Sequence, residues 1–84
     1  MFEIYLEKRA EKDLKKLSPQ LFHKIIHIIK SLKENPKPKD SKKLEGSKND
    51  WRIRVGDYRI LYEISYSQKK IYVMRVRHRK EVYR

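Results

Sequence analysis

The 84-residue chain contains no cysteine, only two glycines and three prolines, and no long apolar run. Without cysteine it has neither a disulfide framework nor a thiolate metal site. The three histidines, His23, His27 and His78, lack the carboxylate neighbours of a metal centre. His23 and His27 stand four apart, the spacing of two ligands on one helix face, but no third ligand follows. No stretch approaches the ~20 apolar residues needed to span a bilayer, and no charged segment followed by an apolar one opens the chain. The expectation is a cytoplasmic protein with no membrane association and no cofactor. Acidic residues are also scarce: 11 Asp and Glu against 23 Lys and Arg leave a net charge of +12.

So few side chains fill one core, so residues 1–84 are expected to form a single domain. A domain of this size buries only roughly 60–65% of the surface its unfolded chain exposes, which leaves room for a stable partner to add burial. The charge points to a polyanion, to a strongly acidic protein, or to both. Its distribution is more informative than its sum. Lysines are spread along the whole chain, whereas seven of the eight arginines (Arg52, Arg54, Arg59, Arg75, Arg77, Arg79 and Arg84) fall at or after residue 52. Arginine carries a rigid, permanently charged fork matched to phosphate, so this cluster is the functional signal.

The segment MFEIYL alternates and is rich in strand formers. EKRAEKDLKKL then places Ala10, Leu14 and Leu17 on one helix face. Ser18-Pro19 restarts the chain as an N-cap followed by proline at the first helical position, and Leu21, Phe22, Ile25, Ile28, Ile29 and Leu32 form a wide apolar stripe. After the proline-broken NPKPKDSKK the period changes from helical to alternating: KKLEG, WRIRV, YRILYEI and KIYVMRVR read as four strands. The predicted architecture is α+β, with an N-terminal strand and a two-helix hairpin packed on one face of an antiparallel sheet of about four strands. The other face stays open and basic.

A two-residue connection at Gly56-Asp57 pairs Val55 with Tyr58, Arg54 with Arg59, Ile53 with Ile60, Arg52 with Leu61 and Trp51 with Tyr62. Trp51, Ile53, Val55, Tyr58, Ile60, Tyr62 and Ile64 then face the core, and Arg52, Arg54 and Arg59 face away. In the last strand the natural core set is Tyr72, Met74 and Val76, which sends Arg75, Arg77 and Arg79 to the open face and requires an odd-length turn around Ser67-Gln68-Lys69. Arg59 then lies beside Arg77 or, alternatively, beside Arg75. Like charges opposite one another in a sheet cost up to roughly 1 kcal/mol per pair, so the arrangement implies that an anion occupies the site.

At WRIRVGDYRILYE and RVRHRKEVYR the chain resembles the RelE branch of the RelE/ParE superfamily of toxins from type II toxin-antitoxin pairs, and the resemblance covers essentially all of it. It implies a RelE-like fold and a ribosome-dependent endoribonuclease that cuts mRNA in the ribosomal A site. It also implies a cognate RelB-like antitoxin, acidic and partly disordered, that holds the toxin inactive. By the same resemblance Arg59 matches the phosphate-binding arginine of the motif, Arg77 the arginine of the last strand and Tyr83 the C-terminal tyrosine. Arg52 and Arg54 stand where the best-known members have lysines; arginine cannot give up its proton, so electrostatic stabilisation replaces any role as a base.

Metal-free RNA cleavage needs a group to take the 2′-OH proton, donors for the charge on phosphorus and an acid for the 5′-oxygen. Arg59 and Arg77 are the candidate donors, with Arg54 and Arg52 holding the backbone and Arg75, Arg79, His78 and Lys80 as further RNA contacts. Tyr83 is either a base, its phenolate favoured by nearby guanidiniums, or a stacking residue. His78 is a candidate acid or base by residue type but by alternation points with Val76 to the core side. Two other functions fit the same composition: a ParE-like inhibitor of DNA gyrase without nuclease activity, and a non-catalytic RNA-binding module.

Overall fold

A computed structural model describes the backbone of residues 1–82 and the side chains of residues 1–80. Strand β1 (Glu3–Leu6) leads into helices α1 (Lys8–Lys15) and α2 (Pro19–Ser31). Strands β2 (Ser41–Lys43), β3 (Asp50–Val55), β4 (Tyr58–Ser65) and β5 (Lys70–His78) follow, and a short helix α3 (Arg79–Val82) comes last. The helices start where the chain chemistry dictates. The Ser18 hydroxyl accepts the Leu21 N–H at 3.3 Å, and Pro19 occupies the first turn of α2, where its missing N–H costs nothing.

Ala10 and Leu14 of α1, with Ile25, Ile29 and Leu32 of the second helical stretch, are buried against Ile53, Val55, Ile60, Tyr62, Ile64, Ile71, Val73 and Val76 of the sheet. Leu17, Leu21, Phe22 and Ile28 line the margin of this core. Each aliphatic side chain removed from water contributes roughly 1.5–3 kcal/mol, and it is the helical stripe meeting the inner face of the sheet that holds the two layers together.

The sheet has five strands in the order β1-β5-β4-β3-β2, rather than about four. The expected antiparallel run is β2 to β5; β1 joins it in parallel alongside β5, with Glu3, Ile4, Tyr5 and Leu6 opposite Lys70, Ile71, Tyr72 and Val73. The sheet is therefore mixed. A physical reason lies in the edge that β5 would otherwise present, a row of unpaired backbone groups. β1 covers its first half, and where the chain turns away into α1 the carboxylate of Asp13 takes over, accepting the Val76 N–H at 2.9 Å.

The β3–β4 hairpin has the predicted register, from Val55 opposite Tyr58 to Trp51 opposite Tyr62. Gly56 takes φ +59° at the first turn position, which a side chain would resist. The β4–β5 hairpin differs from expectation. Its turn, residues 66–69, is even, with Lys69 at φ +57° and Ser65 opposite Lys70. The odd residue lies instead in the strand: Tyr62 pairs with Val73 but Leu61 with Arg75, leaving Met74 as a β-bulge. Ile71 and Val73, not Tyr72 and Met74, are consequently the core residues before the bulge, and Val76 is buried after it.

Candidate nucleic-acid interface

On the face away from the helices, Arg54, Arg59 and Arg77 form one row across three adjacent strands, Arg54 opposite Arg59 and Arg59 opposite Arg77. The second pairing depends on the bulge. From Ser65 opposite Lys70, a regular ladder would bring Val76 to Arg59, and the extra residue at Met74 advances β5 by one so that Arg77 arrives there. Arg54 is exposed and Arg59 and Arg77 are half-buried, so their guanidiniums act in a medium less screening than bulk water. One row further from the turn, half-buried Arg52 stands opposite Leu61. Fixed cations spaced across neighbouring strands are suited to an extended phosphodiester backbone, whose charges they offset with charge-assisted hydrogen bonds.

The remaining predicted contacts are placed differently. Arg75 is turned to α1: its Nε donates to Asp13 Oδ2 at 2.9 Å and its second amine nitrogen to Oδ1 at 3.2 Å. Its register partner is Leu61, on the face of Arg59 and Arg77, as the alternation predicts, but beyond the end of β1 its side chain is drawn to the β5 edge and held by α1. Burial alone would raise the Asp13 pKa, but the Arg75 and Val76 hydrogen bonds and the charges of Arg75 and Lys16 outweigh it and hold the carboxyl below its usual range. Asp13 was not legible as a partner: 62 residues separate it from Arg75, and no local pattern links them.

His78 lies on the Tyr58 side, in edge contact with that ring at a centroid distance of 5.0 Å, and its Nδ1 accepts the Lys80 N–H at 3.1 Å. Arg79 and Lys80 do not continue the strand alternation, because β5 ends at His78 and both belong to α3. With Asp57 and His78 they line a shallow depression of about 440 Å³ beside the hairpin turn. Tyr83 lies outside the described residues. His23 and His27 are both exposed on α2, and among the described residues no three metal-ligating side chains converge.

The basic row occupies one end of the open face only. At the other end Glu63 stands opposite Tyr72 and Tyr72 opposite Tyr5, so a tyrosine pair, of which the predicted alternation places Tyr72 in the core, shares this face. An Ile4–Tyr5–Leu6 alternation was the available signal for Tyr5; Tyr72 was hidden by the even turn.

A family model described as ParE toxin of type II toxin-antitoxin system, parDE, matches residues 4–83. A Methanocaldococcus jannaschii protein that bears the name RelE1 is 35% identical over 86 residues, covering 99% of this chain and 96% of its own. The RelE chain of the RelB-RelE antitoxin-toxin complex from Methanococcus jannaschii superposes with a TM-score of 0.78 at 34% identity over 93% of each chain. The archaeal RelE-RelB complex from Pyrococcus horikoshii gives 0.83 at 26% identity, over 93% of this chain and 94% of that one. With its two helices on one side of a five-stranded sheet and this extent of similarity, the chain belongs to the RelE/ParE family of type II toxin-antitoxin toxins, on the RelE branch.

Proposed function

We propose that this toxin is a ribosome-dependent, metal-independent endoribonuclease that acts in the cytoplasm on mRNA in the ribosomal A site and so stops translation. The observation that carries the reading is the Arg54–Arg59–Arg77 row, which gathers like charges where stability alone would separate them. In the reaction the ribose 2′-oxygen bonds to the adjacent phosphorus as the bond from phosphorus to the 5′-oxygen breaks. The 2′-hydroxyl proton passes to a base and the leaving oxygen takes a proton, giving a 2′,3′-cyclic phosphate and a free 5′-hydroxyl. Arg59 and Arg77 stabilise the charge that builds on the phosphoryl oxygens, while Arg54 and Arg52 hold the backbone in line. Tyr83 serves as the base or as a stacking residue beside the scissile phosphate. With so few tuned acid-base groups, the ribosome supplies substrate orientation, and free RNA is cut slowly or not at all.

A cognate RelB-like antitoxin, acidic and partly disordered, is the second partner; the solved relatives named above are complexes of RelE with RelB. The ParE description of the matching family favours one other reading, inhibition of DNA gyrase without RNA chemistry.

Primer extension on a defined mRNA paused in purified ribosomes separates them. Cuts within the A-site codon that require the ribosome, and that fall by at least about 100-fold in Arg77→Ala, a loss typical of removing one transition-state donor, are the expected result. No cutting by a protein that folds overturns the nuclease reading and directs the next assay to gyrase supercoiling.

A further inference from the structure

Beyond the arginine row, the open face carries a second cluster of different chemistry. Tyr5 and Tyr72 are register partners on β1 and β5, their rings stacked with centroids 5.7 Å apart and planes 28° from parallel. Ile4 and Leu6, the neighbours of Tyr5, pack into the core, so Tyr5 points outward and is 41% exposed. Tyr72 is pinned by a 2.6 Å hydrogen bond from its hydroxyl to Gln68 Oε1. The Lys70 ammonium rests 4.8 Å from the centre of the Tyr5 ring. Glu63, opposite Tyr72, and Glu3, opposite Lys70, bring negative charge to the same area.

Core packing has no use for these rings, since both lie on the face away from the helices. The two carboxylates make the spot unfavourable for a phosphate, yet a carboxylate accepts hydrogen bonds from the amino group of a base. A pre-ordered aromatic pair on a sheet face, with Tyr5 exposed and Tyr72 half-buried, is the kind of surface on which unstacked bases settle. The spacing is suitable too. Arg59 and Glu63 lie on one unbroken strand four residues apart, so the tyrosine pair stands about 13 Å from the arginine row, a few nucleotides along an extended strand.

We propose that Tyr5 and Tyr72 form a stacking subsite for one nucleobase of the single-stranded RNA whose phosphates lie on the Arg54–Arg59–Arg77 row. On binding, Lys70 leaves the Tyr5 ring and pairs with the adjoining phosphate. The subsite rests on the RNA reading above, but only on binding and not on cleavage.

The test uses the purified toxin and a fluorescein-labelled single-stranded octa-adenylate, followed by anisotropy over a range of salt concentrations. Loss of a base-aromatic stack corresponds to about 1–3 kcal/mol, so Tyr5→Ala should weaken binding roughly 5- to 150-fold, while Tyr5→Phe, which keeps the ring, should bind as the parent does. The slope of affinity against salt should be unchanged in Tyr5→Ala and shallower in Arg77→Ala, because only the arginine releases counterions from phosphate. Equal binding by Tyr5→Ala and the parent, equal losses in the Ala and Phe variants, or no measurable binding by the parent would each overturn the subsite. Failure of the cleavage reading has a different signature: the Tyr5 effect on binding persists while mRNA in the ribosome stays intact. Thermal melting checks that Tyr5→Ala folds, as its exposure leads one to expect.

Discussion

The two hairpins that meet in β4 were built from sequence of similar kind, yet one has a regular ladder and the other does not. In the β3–β4 hairpin a two-residue turn with glycine at positive φ sets the register, and every pair from Val55–Tyr58 to Trp51–Tyr62 follows from it. The β4–β5 hairpin turns through residues 66–69 without glycine and hides its extra residue at Met74 in mid-strand. A tight turn dictates register locally, whereas a bulge is held by what lies across it. Here that is Asp13, which binds both the backbone and the side chain immediately after the bulge.

The strongest way to break the contrast is to remove that support. Asp13→Asn takes the charge from a pair whose side chains are 10% and 21% exposed, and it should cost about 2–3 kcal/mol of stability, read as a lower midpoint in urea unfolding. The pH dependence has a definite sign. The Asp13 pKa is lower in the folded chain than its ordinary 3.8, so its stabilisation is complete above that value and disappears as pH falls through the depressed folded value. The asparagine variant should lack this acid-dependent component, and a pH series of unfolding midpoints would show whether it does.

The opposite hairpin is broken at its turn. Gly56→Val places a branched side chain at φ +59°, although the space around it is open, so the expected loss of about 1–2 kcal/mol is backbone strain alone and should appear in thermal melting. Lys69→Gly acts in reverse on the second hairpin: it relieves positive φ at a non-glycine residue and should raise stability by up to about 1 kcal/mol without altering the register, as amide chemical shifts would report. The smallest effect belongs to the functional row. Arg54→Gln removes a cation directly opposite Arg59 and should stabilise the fold by roughly 0.5 kcal/mol while weakening RNA binding. A variant that lost stability instead would show that the row is a structural device.

What was legible follows the same division. Helix positions, caps and the core face of β3 and β4 rest on spacing within a few residues, and there the reading agrees with the structure in detail. Alternation carried through a bulge with no local signature places Tyr72 and Met74 in the core, where the structure has Ile71 and Val73 instead. The pairing of Arg59 with Arg77 was nevertheless anticipated, since an odd residue in the turn and an odd residue in the strand bring the same two arginines together. The docking of β1 against β5 was out of reach, because nothing in six residues near the start of the chain specifies a partner some 67 residues later.

That docking also bears on the time at which the protein becomes whole. A ribosome delivers β1 first, but its neighbour in the sheet is the last strand to be made. Until residues 70–77 have emerged, β1 lacks its parallel partner, Asp13 has no Val76 N–H to bind, and the arginine row is short of Arg77. Long-range pairing of this kind is slow to form and cannot begin on a partial chain. Completion of the sheet and completion of the basic row therefore wait for the same few residues, so the nascent chain cannot present the finished surface while most of its own message is still being read.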